Sequence, residues 1–275
     1  MKQLISLLKK PVSVIVLFLP VSVSAGNIYH LPAGAAEAGM GSVCVMQTGF
    51  WSSFQNQASL AFNNYLSAGI NYENRFSLKE LGTRIAGIII PAGNASLGMI
   101  YSHFGYSCYR REMAGLGCGL LLSENLAAGI QIDYFTEKTP GEYGNHQAVI
   151  CEAGLLVTPR ENIRIGVHIF NPVPNSLRKV FMPVTIRTGV GIELDKGLFA
   201  GAEAEMSSGR RLVFKTGFDY EAVKNFRIRG GFCTENNAFS FGLGYTVKFL
   251  NLDLSFTTHE KLGITSCASM IFKIL

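Results

Sequence analysis

The feature of this sequence that most constrains its fold is an alternation of apolar and polar residues in segments of about ten residues. In the stretch VTIRTGVGIEL, which covers 184–194, the apolar residues Ile186, Val190 and Ile192 alternate with Arg187 and Gly191. A period of two places successive side chains on opposite faces of a β-strand. Segments of about ten residues are typical of strands that cross a bilayer at a tilt, whereas strands of soluble proteins usually have about five or six residues.

The same pattern continues to the C-terminus and predicts about fourteen strands. The alternation blurs in 81–91 and 147–158, where apolar residues occupy both series. The predicted spans are 65–74, 81–91, 93–104, 108–122, 125–136, 147–158, 162–171, 182–195, 198–207, 210–221, 225–235, 238–249, 250–259 and 264–274.

The connections between these spans alternate between tight turns and longer links. The longer links cover 75–80, 105–111, 137–146 and 171–182. Short periplasmic turns and longer outer loops characterise outer-membrane barrels. We therefore predict an all-β fold, namely a transmembrane antiparallel β-barrel of about fourteen strands, surrounded by lipid in the outer membrane of a Gram-negative bacterium. Both chain ends are expected on the periplasmic side. The alternative, a soluble all-β sandwich or solenoid, requires shorter strands.

The front of the chain resembles a targeting signal. Three lysines precede an apolar stretch at 12–23, and Val23-Ser24-Ala25 fits a cleavage site, so residues 1–25 are predicted to be a signal peptide. The alternative is an uncleaved membrane helix, but the apolar run is shorter than the ~20 residues that a span needs. Cleavage of the signal peptide removes three lysines and no acidic residue, which lowers the formal net charge from +5 to +2. This charge gives no reason to expect nucleic-acid binding.

The remaining composition excludes a helical membrane protein, because no stretch of 18 apolar residues follows the signal although 48% of the chain is apolar. The six cysteines are Cys44, Cys108, Cys118, Cys151, Cys233 and Cys267. An even number in an exported chain permits disulfides, but the wide, irregular spacing favours cysteines packed singly. Cys108 with Cys233 is the one pair that we would test.

Charged residues recur in the polar series, which is expected to face the lumen. Counting outward from each turn places opposite charges across neighbouring strands. The predicted pairs are Arg187 with Glu205, Glu203 with Lys215, and Asp219 with Arg227. Because the signs balance, a lumen filled by its own ion pairs is favoured over a charged constriction in a selective pore.

Residues 26–64 lack the alternation and are too many for a linker. The segment is rich in small residues and precedes the predicted barrel at 65–275. A barrel of about fourteen strands has a lumen that is either filled or wet. We therefore predict that 26–64 forms a plug within the lumen.

The predicted plug carries a family resemblance. The runs GAAEAGMGSVCV, FW and NQASLA, found at 34–45, 50–51 and 56–61, resemble the entry motif of FadL-like outer-membrane barrels. That group includes long-chain fatty acid transporters and the PorV and PorQ proteins of the type IX secretion system. The resemblance implies short helices in the lumen. The motif residues are Gly39, Gly41, Trp51, Asn56, Gln57 and Ala58. For Trp51 and Asn56, packing within the plug is favoured over ligand contact.

Two functions are compatible with this reading. The first is an accessory or scaffold subunit of a protein-export or outer-membrane-protein assembly complex, either type IX secretion-like or barrel-assembly-like. We favour it because the lumenal series looks polar and self-paired. Its partners would be other outer-membrane or periplasmic proteins. The alternative is a FadL-like channel for uptake of small hydrophobic solutes. Apolar residues of the plug are available to form its pocket, namely Val43, Val45, Met46, Phe50 and Trp51.

Catalysis is weakly supported. Ser255 and His259, with Glu260 beside them, are the only local combination of nucleophile, base and acid, and they lie toward a strand end. The other histidines have no metal-ligand spacing, and no glycine-rich loop leads from a strand into a helix. We expect a non-enzymatic protein without a cofactor or metal.

Overall fold

The computed structural model describes residues 34–140, 144–173, 176–177, 180–194 and 197–274. The predicted signal peptide lies outside these residues. The strands are β1 (Leu66–Asn74), β2 (Gly82–Ala92), β3 (Ala95–Tyr106), β4 (Tyr109–Ser123), β5 (Leu126–Lys138), β6 (Asn145–Arg160), β7 (Ile163–Phe170), β8 (Ser176–Leu177), β9 (Val180–Phe181), β10 (Thr185–Leu194), β11 (Leu198–Ser207), β12 (Val213–Val223), β13 (Phe226–Cys233), β14 (Ala238–Val247), β15 (Leu250–His259) and β16 (Gly263–Ile274).

Fourteen of these strands form one closed antiparallel barrel. Each strand pairs with its neighbours in sequence, β7 pairs with β10, and β1 closes the barrel against β16. The short strands β8 and β9 form a separate hairpin within the connection between β7 and β10. The prediction of a barrel of about fourteen strands is therefore confirmed. The sandwich alternative is wrong, because a closed barrel leaves no sheet edge unpaired.

Helical structure is confined to short pieces. The helix α1 covers Ala35–Gly39, and turns of 3₁₀ helix cover Ser52–Phe54, Gln57–Phe62, Arg75–Ser77, Lys79–Leu81 and Glu235–Asn237. Among the residues described, none of the helices is both long and apolar enough to span a membrane.

The outer face of the barrel is apolar, as the alternation requires. Ile130 and Phe239 are each 63% exposed although both are large and hydrophobic, and Leu116 is 58% exposed. In water, an apolar surface of this extent is rare for a monomer. On a closed barrel it is the surface that faces lipid, so the chain has the architecture of a Gram-negative outer-membrane β-barrel.

One connection differs from its prediction. The link expected over 105–111 is a two-residue turn at Ser107 and Cys108, because β3 and β4 continue pairing out to Tyr106 and Tyr109. Arg111 stacks over the ring of Phe104 on this extension at 5.3 Å. The strand β4 has 15 residues and β6 has 16. The rim at the β3–β4 turn, which the sequence predicts to be the outer one, is therefore higher over β3–β6 than over β7 and β13, which have eight residues each.

All six cysteines are free thiols. Cys108 lies at the tip of the β3–β4 turn, whereas Cys233 lies on β13, which is not a neighbour of either strand. A disulfide between Cys108 and Cys233 is therefore incompatible with the barrel, since bonded cysteines need Cα atoms within about 7 Å.

Cys108 provides a test of orientation. We expect a membrane-impermeant maleimide to label Cys108 on intact cells, because this thiol is exposed at the outer rim. The variant Cys108→Ser should lose the label, and buried Cys44 and Cys267 should not react in either protein. Labelling of Cys108 only after the outer membrane is permeabilised would show that the assigned orientation is inverted.

Candidate functional site: the lumen and the N-terminal segment

The segment from Gly34 to Phe62, called here the N-terminal segment, contacts the inner face of the barrel. Inward-facing glycines permit this approach. A Cβ atom on Gly154 would overlap the side chain of Asn56, and Cβ atoms on Gly217 or Gly231 would overlap the backbone of Met40. These inward-facing glycines are thus places where the wall lies against the segment's own backbone and side chains.

The six motif residues are all buried in this segment. Asn56 donates to the carbonyls of Val45 at 2.6 Å and Leu155 at 3.1 Å, and its Oδ1 accepts from the amide of Ala58. The last bond caps the 3₁₀ turn at Gln57–Phe62. Asn56 therefore holds the segment's fold and ties it to β6.

Of the remaining motif residues, Gln57 donates to Glu152 Oε2 at 2.7 Å, and the other three are held by packing. Gly39 lies against the backbone of Gly242, and Gly41 has a φ of 70° next to the backbone of Phe232. A side chain at Gly41 would be strained as well as crowded. Trp51 packs edge-on against Phe50, with ring centroids 4.8 Å apart.

Glu203 on β11 anchors the segment by its backbone. Its Oε2 accepts from the amides of Cys44 at 2.9 Å and Val45 at 3.0 Å, while its Oε1 accepts from Lys215 at 3.2 Å. Carboxylates bound by amides and a cation form strong, charge-assisted hydrogen bonds. Lys215 also binds Glu205 at 2.6 Å, so one cation bridges two acids.

Arg187 anchors the segment at a second place. It lies opposite Glu205 in the β10–β11 ladder, as the hairpin count predicts, but its guanidinium donates to the backbone and side-chain oxygens of Gln55. It also contacts His168 Nδ1 at 2.9 Å, and His168 Nε2 lies 3.0 Å from Glu152. Arg187 is only 1% exposed, so this chain of contacts is fully enclosed.

The third predicted pair has a shifted register. Asp219 lies opposite Arg229, and Arg227 lies opposite Glu221, because the ladder is irregular between Glu221 and Val223 beside the turn. Asp219 still bonds Arg227 diagonally at 2.7 Å and also bonds Arg229 at 2.9 Å. The error arises because the count was centred on Val223, whereas the turn lies at Lys224 and Asn225.

The structure overturns the expectation of a wholly polar lumen. From β2 to β7 the inner face carries large apolar side chains, which form one buried cluster with the aromatic residues of the N-terminal segment. The cluster consists of Phe50, Trp51, Phe54, Leu60, Ile85, Ile89, Ile100, Met113, Phe135, Ala148, Ile150, Phe170, Met182 and Ile271. We call β2–β7 the apolar half of the lumen and β10–β15 the charged half, after the side chains that predominate there, although β5–β7 also carry the buried Asp133, Glu152 and His168.

Glu37 is a buried acid that sequence reasoning missed. It is 3% exposed on α1, and its Oε1 accepts from the amide of Ser52 at 3.1 Å. Burial raises the pKa of Glu37 to about 7, and nearby Asp253 adds to the effect. Burial likewise raises the pKa of the Cys44 thiol well above its usual value. The sequence signal for this buried acid was a single glutamate within the alanine-rich run at 35–38, where the other residues are all alanine.

The serine and histidine that were considered for catalysis do not come together. Ser255 faces inward and is 1% exposed, whereas His259 is four residues further along β15, which corresponds to about 13 Å of strand. The ring of His259 packs on Phe76 with centroids 4.9 Å apart. Within the described ranges, no three His, Cys, Asp or Glu side chains are grouped as a metal site requires.

Several solved structures have the same barrel architecture. The Ralstonia pickettii toluene transporter TbuX superposes with a TM-score of 0.68 at 11% identity, covering 88% of this chain and 98% of that one. A Pseudomonas aeruginosa FadL homologue gives 0.64 at 12% identity, covering 88% and 99%. The chain shares their fold. The Pseudomonas putida toluene transporter TodX gives 0.67 at 10% identity, covering 88% and 98%. No protein-family model matches the chain, and no curated protein matches its sequence.

These likenesses correct the favoured function. The expectation of an accessory subunit in a protein-export or barrel-assembly complex is wrong, because the structural neighbours are hydrocarbon transporters and a FadL homologue. The error came from assuming that the inner face was polar throughout. The FadL part of the sequence resemblance is supported, and the PorV and PorQ part is not.

Proposed function

We propose that the protein is a FadL-like channel for uptake of small hydrophobic solutes across the outer membrane, with the N-terminal segment as its plug. The observation that carries the proposal is the buried apolar cluster inside the barrel. If the lumen were only filled by ion pairs, its wall would not need a continuous cluster of large apolar side chains. A solute moving from water onto such a surface gains free energy from the hydrophobic effect.

The cluster extends over most of the barrel's height. Met113 and Phe135 are paired neighbours near the outer ends of β4 and β5, and Ile271 lies near the periplasmic end of β16. Met182 of the β7–β10 connection is 2% exposed and belongs to the same cluster, so this outer connection turns inward over the apolar half. We propose that the solute follows these positions along one side of the lumen, displacing the plug side chains that bury them.

The middle of this route is aromatic. Phe50 and Phe54 of the plug pack edge-on, with ring centroids 5.7 Å apart, and Phe50 meets Trp51 in the same way. An aromatic solute can replace such edge-to-face contacts with equivalent ones. A small monoaromatic hydrocarbon is therefore the preferred substrate class, which agrees with the similarity of the fold to toluene transporters.

Uptake of labelled toluene provides the test. In a Gram-negative host without its own hydrocarbon channels, expression should raise the rate of uptake. The variant Ile89→Asp, which places a charge in the apolar half between Ser67 and Gly98, should reduce that gain by about tenfold or more because an unpaired buried charge is costly. Ser240→Asp is the matched control, since Ser240 is also buried and faces inward, but on β14 in the charged half.

Heat-modifiable gel mobility should show that both variants fold. Equal uptake by cells with and without the protein would refute the channel. Equal loss in both variants would show that the apolar half is not the route.

A further inference from the structure

A groove of about 860 Å³ lies on the lipid-facing wall of the barrel and crosses β15, β16, β1, β2 and β3. Its sides include Ile70, Tyr101 and Leu254, which are all exposed on the outside of the barrel. Ala86 and Ala268 leave the floor low, because their side chains are much shorter than those of their neighbours. The volume is within the range of ligand pockets.

The end of the groove nearest the predicted outer rim is basic. Arg84, the third residue of β2, lines the groove together with His103, and the ladders place Arg84 between Tyr72 and His103. Residues opposite one another in a ladder share a face of the sheet, so this row faces lipid with the exposed Tyr72. Ile70 and Ala86 form the next row of the groove, about 7 Å further from the rim. The groove is therefore basic toward the membrane surface and apolar toward the membrane centre.

Arg84 is the unpaired cation of this groove. Among the residues that the structure describes, its guanidinium forms no ion pair or hydrogen bond. Glu112 lies in the same row beyond His103 but does not line the groove. Its carboxylate accepts from the hydroxyls of Tyr101 at 3.2 Å and Thr136 at 3.5 Å. A cation on a lipid-facing surface is costly unless it reaches water or an anion, so Arg84 can accept an anionic partner from the membrane.

A second lipid-facing groove shows what this charge adds. It lies on β4–β7, has a volume of about 460 Å³ and is lined by apolar residues such as Leu120, Ile130 and Leu155. None of the residues that line it carries a charge. Any acyl chain of the bilayer covers such a surface equally well, whereas the groove beside Arg84 can distinguish lipids by their headgroups.

We propose that the groove beside Arg84 binds a phosphorylated lipid of the outer leaflet, with the phosphate on Arg84 next to His103 and the acyl chains over Ala86 and Ala268. A guanidinium is suited to phosphate, because it donates two parallel hydrogen bonds to its oxygens. The order of the groove from rim to centre matches the order of headgroup and chain in such a lipid. The site lies outside the barrel, so its occupancy does not depend on hydrocarbon transport through the lumen.

Native mass spectrometry of the folded protein in an uncharged maltoside detergent provides the test. The protein is titrated with dimyristoyl phosphatidic acid, and with dimyristoyl phosphatidylcholine as the zwitterionic lipid with the same chains. We expect one phosphatidic acid molecule to bind about fivefold or more tightly than phosphatidylcholine, which is the effect of one basic residue near a membrane surface.

Two variants separate the headgroup from the chains. Arg84→Gln should abolish the preference for phosphatidic acid, whereas Arg160→Gln should retain it, because Arg160 is an exposed arginine beside the β6–β7 turn at the opposite end of the barrel. Ala86→Phe fills the floor of the groove and should weaken phosphatidic acid binding by about fivefold or more, since less of each chain is buried. Ala153→Phe, in the second groove, is its matched control and should leave that binding unchanged.

Heat-modifiable gel mobility should show that all four variants fold. Equal binding of the two lipids, or an Arg84→Gln variant that keeps the preference, would overturn the proposal. An equal loss in Arg160→Gln would overturn it too, because the attraction would then belong to any exposed arginine. Unchanged binding by Ala86→Phe would show that the phosphate is held without the groove.

Discussion

Deletion of residues 34–62 is expected to turn a barrel that is closed to ions into one that conducts them. Residues 51–60 of this segment are buried without exception, and the segment lies between the apolar and charged halves of the lumen. Its removal exposes Glu203 and Arg187 to water, and a barrel of this size then holds an aqueous channel. Stepwise conductance in planar bilayers, absent from the intact protein, is the measurement.

A milder variant tests the same point with the chain intact. Glu203→Gln weakens the bonds that hold the amides of Cys44 and Val45, so we expect brief openings rather than permanent ones. Lys248→Gln, at a periplasmic turn outside the lumen, is the control. Porin-like conductance by the intact protein would show that the segment is not a plug, as would a folded deletion variant that remains silent.

Arg187→Met should produce the largest loss of stability by a single substitution. It leaves the oxygens of Gln55 and the acid–histidine pair of Glu152 and His168 without the cation that binds them. Removing one partner from a buried charged network costs about 3–5 kcal/mol. The midpoint of urea unfolding in lipid vesicles, followed by the heat-modifiable band, measures the effect.

Arg227→Met is the matched control for Arg187→Met. Arg227 also bonds two acids, but its side chain is 31% exposed at the rim. Exposed pairs contribute about 1 kcal/mol or less. Similar losses in the two variants would mean that Arg187 is not a structural anchor.

The strands could be predicted from the sequence, because the two-residue period determines which residues face lipid. The sequence predicts even β2 and β6, although the alternation of apolar and polar residues is blurred in both. The structure explains the blur, since both of their faces carry large apolar residues. Ile85 and Ile150 face the lumen while Ile90 and Val149 face lipid.

The contents of the lumen could not be predicted, because they depend on contacts between residues far apart in sequence. Arg187 is paired with Glu205 by the ladder, yet it binds Gln55, which is 132 positions away. Glu37 likewise faces Asp253 only once the barrel is closed. The two-residue period and the counts outward from each turn predict which residues face each other on neighbouring strands. They contain no information about a segment that crosses the interior of the barrel.

The division of the inner face has a consequence for engineering. In the emptied barrel, a molecule passing through would meet Ile85, Ile89 and Ile100 on one side and carboxylates and guanidinium groups along β11–β15 on the other. A nanopore sensor built from this deletion variant would report the orientation of an amphipathic analyte, because each side of the molecule would meet a different wall. Barrels with uniform interiors lack that asymmetry.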